Sequence, residues 1–284
     1  MTETSPEAVA ARALAEDGAR DITSLVTVAA AATAQGIIEV REAMVFAGRA
    51  YADAVVAYVG LPPISWRVNE GDALAVGAVA GTLSGSLRGM LLAERTLLNL
   101  LQRASGVATV TRRYVEAVAG TPCRILHTRK TVPGLRALDI AAVLAGGGTR
   151  HRMDLSEIVM VKDNHWAALR ASGRTLAQAL AEAASMGVVS RYVEVESLAA
   201  ALEAVDAGAT RLLIDNQLPA EVTAWAAAAR ARRPQIEIEA TGGITLANVR
   251  AYAEAGVDFV SVGALTHSVR AADLALEIGD AVVA

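Results

Sequence analysis

Residues 191–262 read RYVEVESLAAALEAVDAGATRLLIDNQLPAEVTAWAAAARARRPQIEIEATGGITLANVRAYAEAGVDFVSV. Short aliphatic or β-branched runs alternate here with polar or glycine clusters and helical stretches, which is the pattern of parallel strands covered by helices. The same alternation extends back to residue 124. The predicted strands are Arg124–His127, Ile158–Val161, Tyr192–Val195, Arg211–Ile214, Ile236–Ala240 and Phe259–Val262. The predicted helices are Leu135–Leu144, Thr175–Ala184, Leu198–Ala207, Pro219–Arg232, Leu246–Ala255 and Ala271–Val282.

These strand–helix units fit either an open doubly wound sheet or a barrel with fewer strands than the usual eight. Periodicity does not choose between the two arrangements. In both of them, ligands bind at the carboxyl ends of the strands. The residues that follow each predicted strand are therefore candidates for a functional site.

The N-terminal part of the chain has a different pattern. After an N-terminal helix, glycine-rich turns separate short strand-like runs such as Ile37–Val40 and Ala73–Val79, which predict a separate α/β domain. A long helix from about Glu94 to Val118, interrupted near Ser105-Gly106, joins the two parts. The predicted domains are an N-terminal α/β sandwich domain at 1–105 and an α/β barrel domain at 106–270, with a C-terminal helix at 271–284 packing on the first.

The 284 residues include 26 Lys or Arg and 30 Asp or Glu, which gives a formal net charge of −4. This balance excludes a globally basic binder of nucleic acid or anionic membranes. Between Arg124 and Arg152, however, six Arg or Lys residues accompany a single acid, Asp139, so this stretch carries a local charge of +5. Such a concentration of cations predicts a pocket for a small anionic ligand.

The single cysteine, Cys123, excludes an intramolecular disulfide and suits a reducing cytosol, so we expect a cytoplasmic location. The first 21 residues lack the apolar region of a secretory signal. The longest uncharged run, Ile22–Ile38, has only 17 residues and contains polar side chains. It is too short and too polar to predict a membrane span.

Cations, carboxylates and glycines follow the predicted strands. They are Thr128-Arg129-Lys130, Lys162-Asp163-Asn164-His165, Glu194 with Glu196, Asp215-Asn216, Thr241-Gly242-Gly243 and Gly263-Ala264. Because parallel strands end at one edge, this set predicts an active site rather than scattered surface polarity. The two glycine clusters predict a phosphate cradle, since absent side chains let backbone N–H groups approach an anion. A tight strand-to-helix turn is the alternative interpretation of Gly242-Gly243.

Basic side chains concentrate near this edge. They are Arg129, Lys130, His151, Arg152 and Lys162. They predict a pocket for a ligand with more than one carboxylate or phosphate, because guanidinium groups bind such anions through paired hydrogen bonds. A solvated basic face is the alternative. The Gly146–Gly148 run before His151 indicates either close backbone packing or a mobile loop.

Glu194 and Asp215 could hold Mg²⁺, bind ribose hydroxyls or stabilise an electron-poor carbon. A structural ion pair with the nearby cations is the alternative, and it is compatible with a site. Glu194 and Glu196 point to the same side of their strand, so spacing does not say which of them faces the ligand. No His or Cys spacing matches a zinc or iron site. The residues expected to be structural are His127, His267 and Cys123, and contact with the ligand is the alternative for the two histidines.

Several longer motifs occur in a fixed order. They are Glu94-Arg95-Thr96-Leu97-Leu98-Asn99, Ser105-Gly106-Val107-Ala108-Thr109, Thr128-Arg129-Lys130-Thr131-Val132-Pro133-Gly134-Leu135-Arg136, Gly146-Gly147-Gly148 with His151-Arg152, Lys162-Asp163-Asn164-His165, and Val262-Gly263-Ala264-Leu265-Thr266-His267. From about Glu94 to Leu276 this series resembles the quinolinate phosphoribosyltransferase family. A looser similarity covers the N-terminal domain around Arg20–Ser24.

The resemblance implies a fold, a reaction and partners. The fold class is α/β: an incomplete six-stranded α/β barrel with an N-terminal α/β open-faced sandwich domain. The enzyme, a pentosyltransferase, would join quinolinate to phosphoribosyl pyrophosphate (PRPP) and release pyrophosphate and CO2, giving nicotinate mononucleotide for NAD biosynthesis. The implied assembly is a homodimer whose sites use both subunits, with no nucleic acid or membrane as a partner.

The resemblance also implies roles for individual residues. The catalytic set is Glu194, Asp215, Lys130 and Lys162, with the two acids at the ribose and Lys130 near the pyrophosphate. Mg²⁺ would be held mainly through the pyrophosphate, near Glu194 and Asp215. The quinolinate-binding set is Arg129, His151, Arg152, Lys162 and Thr128, with Arg95 of the partner subunit. The phosphate-binding set is Thr241, Gly242, Gly243, Val262, Gly263 and Ala264.

Three positions depart from the family's usual residues: His127 replaces an acid, Thr241 a serine and Arg20 a glycine. His127 adjoins the predicted pocket, so we expect it to alter charge or substrate fit there. Two other functions are weighed against the main one. A molybdenum-transport-associated relative of the same fold lacks the segment 162–165, which this chain keeps, and a non-catalytic sensor of a phosphorylated pyridine would gain little from Glu194 and Asp215.

Overall fold

The computed structural model describes residues 4–18, 20–279 and 282–283. Its helices are α1 (Pro6–Glu16), α2 (Ile22–Thr27), α3 (Arg49–Tyr58), α4 (Leu87–Ala117), α5 (Arg136–Ala145), α6 (Asp163–Ala171), α7 (Leu176–Ser185), α8 (Leu198–Asp206), α9 (Pro219–Arg232), α10 (Val249–Glu254) and α11 (Ala264–His267). Its strands are β1 (Ala32–Val40), β2 (Met44–Val45), β3 (Ser65–Trp66), β4 (Ala73–Leu74), β5 (Val79–Ser86), β6 (Arg124–Leu126), β7 (Val159–Val161), β8 (Arg191–Val195), β9 (Arg211–Asp215), β10 (Glu237–Thr241), β11 (Phe259–Ser261), β12 (Leu274–Ile278) and β13 (Val282–Val283).

Six parallel strands form one sheet, in the order β6-β11-β10-β9-β8-β7. Each strand from β7 to β11 neighbours the next one along the chain, and the first strand, β6, pairs with the last, β11. A doubly wound sheet would instead reverse its strand order in the middle. Between β6 and β7 the described residues form no ladder, only a bridge from Leu126 to Thr149. The sheet is therefore an incomplete six-stranded α/β barrel, as the resemblance implied.

The predicted barrel strands are all confirmed, with ends that differ from the prediction by at most one residue. Helix α9 matches its prediction, whereas α10 begins three residues after the predicted Leu246. The cause is Asn248, whose side chain accepts from the N–H of Thr245 at 2.7 Å and donates to the carbonyl of Gly243 at 3.0 Å. These bonds hold the segment before α10 as a turn. Helix α6, which follows Lys162 directly, was not predicted.

An antiparallel sheet in the order β12-β1-β5-β3, with β13 also paired to β1, forms the N-terminal architecture. Alternate residues of β1 are buried, which is the pattern of a sheet with one covered face. The predicted run Ala73–Val79 is not one strand. It contains all of β4 and the start of β5, because Gly77 turns the chain with a φ of 82° and donates its N–H to Val40 at 2.8 Å.

The C-terminal segment corrects the predicted helix Ala271–Val282. Residues 274–278 form β12, which pairs antiparallel with β1 from Val40↔Leu274 to Gly36↔Ile278. Leu274 and Leu276, two residues apart, are buried, and the next residue, Glu277, is exposed. The side-chain period is therefore two and not that of a helix. Residues 280, 281 and 284 of the predicted C-terminal helix lie outside the described residues.

Helix α4 is continuous, so the predicted interruption at Ser105-Gly106 is wrong. Both residues are small because other backbone approaches them closely. The Ser105 hydroxyl accepts from the N–H of Ala47 at 3.1 Å. A Cβ on Gly106 would lie 2.3 Å from the carbonyl oxygen of Arg270, so the position tolerates no side chain.

The described residues group into two compact units. The first lies within 1–112, 130–147 and 265–284 and contains the antiparallel sheet, and the second lies within 113–129 and 148–264 and contains the barrel strands. The predicted domain boundary at residue 105 stays a prediction. In the first unit, a Cβ on Gly146 would lie 2.5 Å from the carbonyl oxygen of Ala108. Close backbone packing therefore explains the start of the Gly146–Gly148 run.

Replacing Gly106 by alanine tests this packing. Alanine would gain about 1 kcal/mol of helix propensity, but the clash with Arg270 should cost more, leaving a net loss of about 2 kcal/mol. We expect Gly106→Ala to lower the unfolding temperature by roughly 5 °C in a calorimetric scan. Gly279→Ala is the control, because a Cβ there would meet only the carbonyl oxygen of Gln35 at an ordinary 3.6 Å. Equal unfolding temperatures for the two variants would contradict the packing argument.

Candidate active site

The carboxyl ends of the barrel strands lie at one edge of the sheet, because all of their pairings are parallel. His151 and Arg152 closely follow Thr149, which bridges to β6. The other predicted site residues at or just beyond this edge are Thr128, Arg129, Lys162, Glu194, Asp215, Thr241, Gly242, Gly243, Val262, Gly263 and Ala264. The second unit thus brings the predicted cations, acids and glycines together, whereas their individual roles stay predictions.

Two predicted site residues, Arg95 and Lys130, belong to the first unit. Arg95 is an exposed residue of α4. The backbone carbonyl of Lys130 accepts a hydrogen bond from the hydroxyl of Thr266 at 2.9 Å. Their proposed parts in substrate binding stay predictions.

Lys162 and Glu194 form an ion pair, with Nζ of the lysine against Oε2 of the glutamate. The indole N–H of Trp166 donates to the carbonyl of Glu194 at 3.0 Å, and the N–H of Lys162 donates to Nδ1 of His165 at 3.0 Å. These bonds fix the backbone at both partners. Glu196 is exposed. Of the two acids, Glu194 is therefore the one that contacts Lys162. Glu194 thus takes part in the ion pair that was the alternative interpretation of this residue.

The ends of β9 and β10 interlock through Asp215, Asn216 and Gly242. Asn216 donates its backbone N–H to Thr241 at 3.0 Å and its side-chain N–H to Oδ2 of Asp215 at 2.7 Å. A Cβ on Gly242 would lie 2.2 Å from Oδ1 of Asn216 and 2.7 Å from Oδ1 of Asp215. Gly242, with a φ of 81°, is therefore required both for its turn and for the space that the acid and amide occupy.

Arg129 and Arg152 form the cationic part of the site. The buried Nε of Arg129 has no hydrogen-bond partner within the described ranges. Burial lowers the pKa of Arg152, and the charge of Arg129 lowers it further, against the opposing effect of Glu239. Two guanidinium groups that repel each other and retain an unused donor form a favourable binding point for an anion.

His127 is fully buried and pairs with two backbone groups. Its Nδ1 lies 3.3 Å from the carbonyl oxygen of Thr128, and its Nε2 accepts the N–H of His151 at 2.9 Å. We assign the ring proton to Nδ1 from these partners. Burial lowers the pKa of His127 to about 4, so the ring is neutral near pH 7. Compared with the acid that the family usually has at this position, His127 therefore removes one negative charge from the pocket. The neutral ring adds no positive charge.

Glu239, in the middle of β10, is a buried charge that sequence reasoning missed. It is 1% exposed, and its Oε2 lies 3.1 Å from Nη1 of Arg211 and 3.4 Å from Nε2 of His151. Burial would raise the pKa of this carboxyl, but His151 and Arg211 hold it below its ordinary value. The available signal was the alternation of Glu237 and Glu239 with apolar residues in a strand of a parallel sheet, whose two faces are normally buried, since buried charges need partners.

The structural roles expected of Cys123 and His267 stay predictions. Cys123 is buried, and burial together with the charge of Asp258 raises its pKa to about 12, which leaves almost no reactive thiolate at neutral pH. His267 is exposed, with Nδ1 at 2.6 Å from the hydroxyl of Ser268. Among the described helices, none is long and apolar enough to cross a membrane.

Two protein-family models match the chain in tandem. The C-terminal domain model of quinolinate phosphoribosyl transferase matches residues 107–277, and the N-terminal domain model matches residues 21–105. The chain belongs to the quinolinate phosphoribosyltransferase family. This result confirms the family that the ordered motifs indicated.

Relatives in the quinolinate phosphoribosyltransferase family match along nearly their whole length. The nicotinate-nucleotide pyrophosphorylase (carboxylating) of Mycobacterium leprae (strain TN) is 41% identical over 274 residues, which cover 94% of this chain and 95% of that protein. The chloroplastic nicotinate-nucleotide pyrophosphorylase (carboxylating) of Arabidopsis thaliana is 35% identical, covering 96% of this chain and 82% of its own. The nicotinate-nucleotide pyrophosphorylase structure from Francisella tularensis has a TM-score of 0.89 at 32% identity and covers 96% of both chains.

The depressed pKa of His127 predicts how the stability of this quinolinate phosphoribosyltransferase depends on pH. Below pH 6.5 the unfolded histidine gains a proton that the folded one resists until about pH 4. The contribution of His127 to the free energy of unfolding is therefore fully present above about pH 6.5. It should fall by about 3 kcal/mol toward pH 4.

We expect His127→Gln to flatten the pH dependence of the unfolding free energy, measured by urea titration between pH 4 and 7. His267→Gln, which removes an exposed histidine, is the matched control and should keep the wild-type slope. An unchanged slope in His127→Gln would contradict the assignment of a buried neutral ring.

Proposed function

We propose that this chain transfers the phosphoribosyl group of PRPP to quinolinate and removes one carboxyl group as CO2, giving nicotinate mononucleotide and pyrophosphate for NAD biosynthesis. The observation that carries the proposal is the edge shared by Arg129 and Arg152 with Glu194 and Asp215 in a member of this family. A dicarboxylate requires the cations, and a carbon that becomes electron-poor during reaction requires the acids.

Quinolinate binds through its two carboxylates. The guanidinium groups of Arg129 and Arg152 hold them, with the Lys162 ammonium and Thr128 beside them. The unused Nε of Arg129 supports this role, because a buried donor gains most from an added acceptor. Lys162 exchanges part of its contact with Glu194 for the substrate carboxylate, which releases the glutamate toward the ribose.

PRPP binds at the glycine-containing ends of β10 and β11. The residues proposed to hold its 5′-phosphate are Thr241, Gly242, Gly243, Val262, Gly263 and Ala264. Gly243 supports this role, because its φ is 60° and nothing lies within 4 Å of the place a Cβ would occupy, so an anion can approach the backbone there. Lys130 is proposed at the pyrophosphate end, where an ammonium group stabilises the charge of the leaving group.

Mg²⁺ is the proposed cofactor, and when bound it supplies positive charge that stabilises the pyrophosphate leaving group. Within the part of the chain that the structure describes, no cluster of three or more His, Cys, Asp or Glu could hold a metal ion. Mg²⁺ usually binds one or two carboxylates together with substrate phosphates and water. Glu194 and Asp215 fit that donor set and would hold the ion jointly with the pyrophosphate.

The reaction requires no protein nucleophile. The ring nitrogen of quinolinate attacks the anomeric carbon as the bond from that carbon to the pyrophosphate oxygen breaks, and Glu194 and Asp215 stabilise the oxocarbenium-like charge. The resulting pyridinium ring accepts the electron pair of the breaking carbon–carboxylate bond. CO2 then leaves, and a proton adds to the ring carbon to give nicotinate mononucleotide.

We also propose a homodimer in the cytoplasm, with Arg95 of the partner subunit completing the quinolinate pocket. The exposure of Arg95 on α4 supports this part, because a side chain that reaches into another subunit must be accessible on its own. Neither nucleic acid nor membrane is a proposed partner.

A direct assay tests the function. Purified protein is mixed with Mg²⁺, PRPP and either quinolinate or nicotinate, and both nicotinate mononucleotide and CO2 are measured. We expect both products from quinolinate only. Product from nicotinate but not from quinolinate would overturn the proposal, as would binding of both substrates without turnover, the behaviour of a sensor.

Asp215→Asn separates chemistry from binding. Loss of the carboxylate should lower kcat about 100-fold, because the charge acts on the transition state, while the Kd for quinolinate changes little. Asp206→Asn is the matched control, since Asp206 forms a surface ion pair with Arg232 away from the strand ends. Equal losses of kcat and quinolinate affinity in Asp215→Asn would contradict its role at the ribose.

A further inference from the structure

Both ring nitrogens of His151 face groups of its own chain. Nδ1 accepts the backbone N–H of Arg152 at 2.7 Å, so the proton of the neutral ring lies on Nε2. Nε2 lies 3.4 Å from Oε2 of Glu239, where the carboxylate attracts the N–H electrostatically without a well-formed hydrogen bond. The side chain is only 6% exposed. Nδ1 is therefore occupied within the chain, whereas Nε2 is buried beside Glu239 without a hydrogen-bond partner among the described residues.

Arg211 holds the same carboxylate oxygen of Glu239 that faces His151. The guanidinium of Arg211 contacts Oε2 of Glu239 at 3.1 Å and lies between two aromatic rings, 3.9 Å from the ring centroid of Phe259 and 4.3 Å from that of Tyr192. His151 also packs edge-on against Tyr192, with the ring centroids 5.9 Å apart. The barrel core therefore determines where the His151 ring lies.

His127 fixes the backbone of the same residue. Its Nε2 accepts the N–H of His151 at 2.9 Å, while its Nδ1 is held by the carbonyl of Thr128 at 3.3 Å. The segment is thus bound twice: His127 holds the His151 backbone, and the His151 ring holds the Arg152 backbone. Arg152 is the residue of this segment whose pKa is lowered by burial and by the charge of Arg129.

We infer that His127 and Glu239 are positioning residues for anion binding: through His151 they fix the backbone from which the Arg152 guanidinium reaches the substrate carboxylate. His151 thus acts on Arg152 through Nδ1, in addition to the contact with quinolinate that the family resemblance implies. The inference deepens the proposed function and rests on it for the identity of the anion.

Two substitutions of His127 test the inference. The side-chain oxygen of His127→Gln can accept the His151 N–H near the place of Nε2, whereas His127→Leu leaves that N–H without an acceptor. We expect His127→Leu to weaken quinolinate binding about tenfold in titration calorimetry and to raise its KM alike, with the KM for PRPP unchanged. His127→Gln should stay within about threefold of wild type. Equal weakening in the two variants, or an equal rise of both KM values, would overturn the inference.

Glu239→Gln keeps the inference testable where His127→Leu does not fold. This variant keeps the size of the side chain but removes the charge that holds the His151 ring, so the Kd for quinolinate should rise while the circular dichroism spectrum stays that of the wild type. A folded Glu239→Gln protein with wild-type affinity for quinolinate would contradict the role of Glu239.

Imidazole ¹⁵N spectra of the unliganded protein separate this inference from the proposed function. The neutral ring of His151 should show the Nε2–H tautomer, and His127 should show the Nδ1–H tautomer at pH 7, with assignment by single substitutions. The opposite tautomer at either residue would overturn the positioning, whatever the protein binds. Correct tautomers together with a wild-type protein that does not bind quinolinate would support the positioning network and reject the proposed function.

Discussion

The carboxylate of Glu239 lies inside the barrel with almost no contact with water, and its charge must be matched there. Arg211 matches it from the amino-terminal end of β9, and His151 faces it from the segment after β6. Removal of one partner from a buried pair typically costs about 3–5 kcal/mol, because the other charge is left uncompensated. Arg152, the residue predicted to bind the substrate carboxylate, therefore directly follows a residue whose side chain packs against this buried charge. Rearrangement there would leave a buried charge unmatched.

Charge is distributed over the site in a way that the net value of −4 conceals. The one acid within the basic stretch 124–152, Asp139, is fully buried and accepts two hydrogen bonds from Arg103 at 2.8 Å. Its charge is already matched. The charge of Lys162 is likewise balanced by Glu194, because the two side chains form an ion pair. Arg129 and Arg152 are the cations of the stretch that electrostatic repulsion couples, and the buried Nε of Arg129 retains a donor with which a dianion can be stabilised.

The six barrel strands were predictable from the sequence because each is a short run, mostly apolar, between polar clusters. Their closure into a barrel was not, since the same local pattern also fits an open sheet, and only the family resemblance implied it. Residues 274–278 were not recognised as a strand, since their partner β1 is distant in sequence and alanine and glutamate also suit a helix. Glu239 was missed because an acid at alternate strand positions is usually solvated, and only Arg211 and His151 make its burial possible. The need for glycine at 242 depends on Asp215 and Asn216 from another strand, which no local pattern contains.

His127 shows how an unusual residue can fit beside this charge network. An ionised carboxylate at the same position would offer only acceptors, so it could bind the N–H of His151 but would repel the carbonyl of Thr128. A neutral imidazole satisfies both, because Nδ1–H donates while Nε2 accepts. Protonation would place a second N–H against that of His151, which together with burial explains a pKa as low as about 4. Compared with an ionised acid, the neutral histidine gives the pocket one negative charge fewer. This difference favours binding of an anionic substrate over the whole pH range in which the enzyme is folded and the ring is neutral.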